Sequence, residues 1–281
     1  CPGVPSPPRQ RHPGCVGAGK TQFLESSVAA LQQRSSTPSD PLTMSPLTPA
    51  AQEFVQASVR NRRGEKSPLK TAYKEKPEGY PLHVEAGSQD LELHLMDAAG
   101  ESFTNMETSR SLSYMDQAPV LIYLLDPFAY DENKETLALS GGATGIQVAQ
   151  GSPGDSYGSV VDRLKASGAD LSKRKLAVVV TKSDWLDALY PDQPPPRSGE
   201  LLKHWLYNHG ADALVRDIDT DFSDVDYFAV DSLQWSDLDA DLHPLRVIDW
   251  AIQGSGGQPL LTMDREPALQ TAGTEDVVGA Q

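Results

Sequence analysis

Cysteine is almost absent from this chain: Cys1 and Cys15 are the only two. They supply no disulfide framework, and no zinc-module spacing surrounds them. Basic charge is scarce as well. Lys and Arg number 24 against 39 Asp and Glu, for a net charge of −15. A surface of that sign matches a phosphate backbone poorly, so no general nucleic-acid binding is expected. No apolar run approaches the ~18 residues of a membrane span. The N-terminus is Pro-rich and lacks the apolar segment of a secretory signal. The six His show no metal spacing such as H-x-x-x-H, and no G-x-S-x-G elbow occurs. Neither a transition-metal site nor a serine-hydrolase site is therefore expected. What these absences leave is a cytoplasmic protein. Its 281 residues, 38% hydrophobic, suffice for one α/β domain with flexible parts.

The pattern along the chain divides it into three. Residues 1–13, CPGVPSPPRQRHP, have no apolar period and read as a disordered or mis-framed N-terminus. A start at Cys rather than Met, with no strand ahead of residue 14, predicts that a first strand is missing or replaced. Residues 14–253 read as one domain, and residues 254–281 as a disordered tail. Inside the domain, Gly19 to Gln33 has Phe23, Leu24, Val28 and Leu31 at helical spacing. Residues 34–50 read as loop and 51–62 as a short helix. YPLHVEA (80–86) and LELHLMD (91–97) read as a hairpin joined by GSQD. PVLIYLLD (119–126), LAVVVT (176–181) and DYFAVDS (226–232) are strand candidates, the first two continuous apolar runs. Helical segments near 157–167, 198–214 and 243–253 separate or follow them, and 131–156 reads as a Gly- and Ser-rich mobile insertion. Strands alternating with helices predict a mostly parallel sheet covered on both faces. The basic island at 60–76 reads as a solvated loop, with a partner or phosphate contact as the alternative.

Three short stretches carry chemistry. The first is GCVGAGKT, Gly14 to Thr21, which fits G-x-x-x-x-G-K followed by Ser or Thr. Gly14, Gly17, Ala18 and Gly19 let backbone N–H groups turn inward around an anion, and the helix N-terminus adds its dipole. Lys20 supplies a point charge to the β- and γ-phosphates, and Thr21 a hydroxyl ligand for Mg²⁺. The second is Asp97-Ala98-Ala99-Gly100, at the end of an apolar strand. There Asp97 can reach Mg²⁺ through water, and Gly100 can offer an N–H to the γ-phosphate, as a switch loop does. Asp155 to Gly158 repeats the D-x-x-G spelling without a strand before it. The third is Thr181-Lys182-Ser183-Asp184, after LAVVV. A carboxylate at Asp184 accepts from the N1–H and exocyclic amine of guanine, a donor pair adenine lacks. The Lys182 stem can lie along the base.

In this order the three motifs resemble those of P-loop GTPases of the translation-factor-related (TRAFAC) class, over residues 14–253. The G-x-G-A-G-K-T-Q-F-L opening, with Gln22 after Thr21, and the D-A-A-G-E stretch are most similar to bacterial double-GTPase-like domains. The resemblance implies a three-layer α/β P-loop NTPase fold. Its sheet is mostly parallel with one antiparallel strand pair before D-x-x-G. It also implies GTP or GDP with Mg²⁺ as ligands, hydrolysis of GTP, slow on account of the departures below, and an unidentified protein effector. It calls for a switch Thr before that pair, which Thr71 supplies, with Thr48 and Thr43 as rivals. It also calls for a small residue after a late strand, where Asp231 and Ser232 stand. Two departures bear on turnover. Glu101 follows Gly100, where Ras-like members place a Gln that orients water. Val16 stands where those members have Gly, and crowds an arginine finger. Arg110 is the nearest downstream Arg. Two other readings stay open: a P-loop ATPase or kinase-like NTPase, and a degenerate nucleotide-binding interaction module without catalysis.

Overall fold

The computed structural model describes residues 19–38, 42–62, 78–97, 115–139, 146, 148–233 and 240–260. The expected N-terminal segment, the insertion tip and most of the expected tail lie outside them. Helix α1 spans Lys20–Ser35 and is followed by β1, Leu42–Pro46, and α2, Pro49–Arg62. Next come β2 (Glu78–Ala86), β3 (Gln89–Asp97) and β4 (Val120–Leu125). Helices α3 (Asp131–Leu139) and α4 (Pro153–Ala166) lead to β5 (Lys175–Val180). Helices α5 (Ser183–Leu189), α6 (Gly199–Leu206) and α7 (Asp212–Asp221) precede β6 (Asp224–Ala229) and α8 (Leu245–Gly254).

The strands form two sheets among the described residues. One is antiparallel, in the order β1-β2-β3, and the other parallel, in the order β4-β5-β6. This is an α/β fold of the P-loop NTPase kind, with the antiparallel portion larger than the expected single pair. The added strand is β1, inside the stretch expected to be loop. Leu42 and Met44 point inward while Thr43 and Ser45 face out, and the ladder runs from Leu42 opposite Ala86 to Pro46 opposite Leu82. The hairpin is also tighter than expected. Its strands continue to Ala86 and Gln89, so only Gly87 and Ser88 turn the chain. Gly87 has φ of 61°, the left-handed value that a two-residue turn with Gly in first place requires.

Two apolar layers flank the parallel sheet. Alternation along β5 sorts its side chains: Ala177 and Val179 face one layer, Leu176, Val178 and Val180 the other. The first layer holds Phe23, Val28 and Leu31 of α1, Phe54 and Val55 of α2, and Ile248 and Ile252 of α8. Leu82, Val84 and Leu95 of the antiparallel sheet enter the same layer, so both sheets share one core. The second layer is filled by Leu164 of α4, Leu186 of α5, Leu202 of α6 and Ile218 of α7. The free side of β6 is closed by an antiparallel bridge between Ser198 and Phe228.

Three element boundaries differ from the sequence reading. The span 198–214 is not one helix. The chain departs from helical geometry at His209 and Gly210, the latter at φ 87°. A Cβ on Gly210 would lie 3.3 Å from Cβ of Tyr130, so a glycine meets both demands. The 131–156 stretch carries α3 and the start of α4. Ser152 caps α4 by accepting from the Asp155 N–H at 3.3 Å, with Pro153 at the first helical position. The D-x-x-G repeat at Asp155 is thus a helix start. Finally, residues 254–260 pack back on the domain instead of belonging to a tail: Leu260 is buried, its N–H bonded to the Asp249 carboxylate.

Leu82 is fully buried in the layer shared by both sheets. Replacing it with Ala is expected to cost about 2–5 kcal/mol of stability. Urea unfolding followed by tryptophan fluorescence and by far-UV circular dichroism checks this. Both midpoints should fall together; a split into two transitions would show that the sheets do not form one cooperative unit.

Candidate nucleotide site

Register puts the site at one edge. Leu125, Val180 and Ala229 end their strands side by side in the parallel ladder. Whatever follows those three residues is therefore collected at the carboxyl edge, where open parallel sheets bind ligands. Asp126 follows β4, Thr181 to Asp184 follow β5, and Val230 to Ser232 follow β6. The N-terminus of α1 arrives at the same edge. A Cβ built on Gly19 would sit 3.6 Å from the Thr181 side chain.

The start of α1 has the backbone of a candidate anion site. Gly19, the N-cap residue, occupies the left-handed region at φ 81° and ψ 18° and has no side chain to cap the helix itself. No acidic residue stands in the first turn. The leading N–H groups of a sixteen-residue helix thus converge at this edge, with no acid in the helix's own first turn. Lys20, Thr21 and Gln22 follow, half-buried. Gln22 reaches across the edge to donate to the Ser232 carbonyl at 3.3 Å, and Ser26 donates to the same carbonyl. The two side chains tether α1 to the loop after β6.

The Thr181 segment is fixed by backbone and side chain together. Thr181 is 2% exposed. Its N–H and its hydroxyl both donate to the Leu125 carbonyl, at 3.0 and 3.2 Å. Lys182 then adopts φ 59° and ψ 36°, the one left-handed non-glycine among the described residues. That conformation stores strain and is concentrated at functional sites. The Lys182 ammonium lies 2.6 Å from Oδ2 of Asp126, whose side chain is 1% exposed. Ser183 donates its N–H to the Val230 carbonyl at 3.5 Å, joining this segment to the end of β6.

Asp184 opens α5 as a mostly buried carboxyl. Burial pushes its pKa up to about 7, and the charge of Asp231 adds to the rise. The backbone N–H groups of Trp185 and of Asp184 itself oppose it. Asp231 is buried, and its Oδ1 accepts the Leu233 N–H at 2.8 Å. The Ser232 hydroxyl is buried with no hydrogen-bond partner among the described residues. The edge therefore offers a glycine-led helix start at one end and, at the other, a largely buried carboxyl already held by two backbone N–H groups. Those features suit a ligand with an anionic part and a donor-bearing part.

Sequence reasoning brought together Gly19, Lys20, Thr21, Gln22, Thr181, Lys182, Asp184, Asp231 and Ser232, and the structure places all of them on this edge. Gly14, Val16, Gly17, Ala18, Thr71, Gly100, Glu101 and Arg110 lie outside the described residues. Asp97 is the last residue of β3, opposite Glu78. The rivals to Thr71 have structural partners: Thr43 donates to Glu85 at 3.0 Å on the sheet surface, and Thr48 accepts the Ala51 N–H at 3.2 Å. Asp126 was missed. Its signal was present, because the reasoning that marked Asp97, an acid ending an apolar strand, applies to VLIYLLD as well.

Fold and edge together define a P-loop nucleotide-binding domain. A family model described as Double-GTPase 2 matches residues 14–245, and the chain belongs to that family. No curated protein and no solved structure matches it. No helix among the described residues is long and apolar enough to cross a membrane.

The Asp184 carboxyl gives a pH test independent of any ligand. The folded chain holds its proton to about pH 7, whereas an unfolded Asp releases it near ~4. Between those values the folded state binds more protons, so this group's contribution to stability falls as pH rises and levels off above pH about 7. Asp231→Asn removes one cause of the shift. Urea midpoints at about pH 5 and about pH 8 should differ less in that variant than in the wild type. Equal differences would remove Asp231 from the account.

Proposed function

We propose that this chain binds guanine nucleotides and hydrolyses GTP slowly to GDP and phosphate, acting as a switch. The observation that carries the reading is the largely buried Asp184 carboxyl, held on the same edge as the glycine-led start of α1. Membership of the Double-GTPase 2 family supports it.

Phosphates lie against the N–H groups between Gly14 and Thr21, including those of Gly17, Ala18 and Gly19, with the Lys20 ammonium beside them. Guanine donates its N1–H and exocyclic amine to Asp184, while the Lys182 stem lies along the ring. Thr181 anchors that segment through Leu125, and Asp231 and Ser232 border the base from the β6 side. Thr21, Thr71 and Asp97 are the residues suited to hold Mg²⁺, which supplies charge neutralisation at the phosphate oxygens. Gly100 senses the γ-phosphate through its N–H, and Thr71 through its hydroxyl. The reaction is phosphoryl transfer to water, favoured by positioning and charge. Glu101, a carboxylate where a water-orienting amide serves Ras-like enzymes, makes turnover slow.

The test is equilibrium binding of fluorescent GDP with Mg²⁺, competed by unlabelled GDP and ADP, on the wild type and on Asp184→Asn. GDP should outcompete ADP by at least about a hundredfold, as expected where a buried polar group is left unpaired by the wrong base. Asp184→Asn should erase that preference. Equal competition by the two nucleotides would overturn the guanine reading in favour of an ATPase. A folded chain that binds neither would be an interaction module. Lys20→Ala should weaken GDP binding in either nucleotide reading.

A further inference from the structure

Lys182 carries two unusual features at once. Its backbone is left-handed at φ 59°, and its ammonium is drawn to a carboxylate on a different strand. That carboxylate, Asp126, is 1% exposed. It is not a surface ion pair formed in passing. Oδ1 accepts the Phe128 N–H at 3.0 Å, while Oδ2 accepts the Ala149 N–H at 2.7 Å and the Lys182 ammonium at 2.6 Å. Three donors on one buried anion fix its position, and charge-assisted bonds of this length are the strong ones. The Phe128 bond belongs to the turn after β4, so Asp126 is braced by its own strand before it meets Lys182.

The consequence lies along the Lys182 side chain. The backbone holds one end of the stem: the Lys182 carbonyl accepts the N–H groups of Trp185 and Leu186 at 3.1 and 3.3 Å. Asp126 holds the other end. A stem pinned at both ends keeps one path from the end of β5 to Asp126 after β4 instead of sampling many rotamers. An aliphatic stem already in place is a preformed wall for a planar ring, and preorganisation is where affinity is gained.

We propose that Asp126 is a positioning residue for nucleotide binding. It holds the Lys182 side chain as the platform on which the base lies. The inference rests on the guanine reading of this edge, and goes beyond it by assigning a role to a residue outside the three motifs. Asp126 touches no ligand in this account. It acts through Lys182, so it governs how tightly a purine nucleotide binds without governing which purine is chosen. Selection between donor patterns stays with Asp184.

The experiment measures affinities for GDP and for inosine diphosphate, which lacks the exocyclic amine, with Mg²⁺, on the wild type, Asp126→Asn and Asp184→Asn. The wild type must first bind GDP, and Asp184→Asn must alter the ratio of the two affinities. Failure there overturns the guanine reading itself. With that established, Asp126→Asn should weaken both nucleotides by the same factor, about tenfold or more, and leave their ratio unchanged. Unaltered GDP affinity, or a changed ratio, overturns the inference. Circular dichroism reports whether the Asn variant folds. If it does not, Asp126→Glu takes its place: it keeps the charge but shifts it outward by one methylene. A parallel loss for both nucleotides is again expected, and wild-type affinity overturns the proposal.

Discussion

The parallel register of β4, β5 and β6 is the constraint on which the rest of the site depends. Each strand contributes a residue to the same rung at Leu125, Val180 and Ala229. The polar residues that follow are therefore delivered to one edge although they are far apart in sequence. The register is not free to slip. A shift of one residue would exchange Val179 with Val180, sending each to the wrong apolar layer. Because both faces of this sheet are covered, the packing of α1 and α8 on one side and of α4 to α7 on the other enforces the rung that builds the site. Stability and site geometry come from the same side chains.

The shared layer beneath α1 gives that helix a second task. Phe23, Val28 and Leu31 bind it to both sheets, while Gln22 and Ser26 bind its first turns to the loop after β6. The start of α1 is thus aimed by burial further along the same helix. An isolated helix could leave its first N–H groups converging on empty solvent, but it could not hold them against Thr181. Packing one turn beyond the site fixes the direction in which the helix dipole acts.

The sequence made some of this legible and hid the rest for identifiable reasons. β4 and β5 were plain, since VLIYLL and LAVVV are apolar runs that only a doubly covered strand would carry. α1 was plain from the spacing of Phe23, Leu24, Val28 and Leu31. β1 was not, because LTMSP has just Leu42 and Met44 to bury and draws its identity from pairing with β2. The break at Gly210 was hidden for a different reason: an isolated glycine in a helical pattern is ambiguous until Tyr130, on another element, crowds it. Of the site, the local motifs could be read, since each is a contiguous run whose chemistry is local. The Asp126–Lys182 pair spans 56 positions. No spacing rule connects them, and only the β4–β5 register does.

Charge raises a question that the same edge answers. A chain of net −15 is a poor global partner for a polyphosphate, yet three more carboxyls, Asp126, Asp184 and Asp231, stand on the edge proposed to bind one. Each is accommodated locally by a different means. Asp126 is paired with Lys182. Asp231 has an N–H donor in Leu233. Asp184 resists ionising in the free protein, since burial and Asp231 both favour its proton. The phosphate end, at the start of α1, contains no acid in its first turn. Over distances shorter than the ~8 Å on which salt screens charge, the ligand meets this arrangement and not the net charge. A donor-bearing base arriving at Asp184 would add to the two backbone N–H groups that already oppose its proton. The acid that burial disfavours is, in the proposed reading, the group that would tell one base from another.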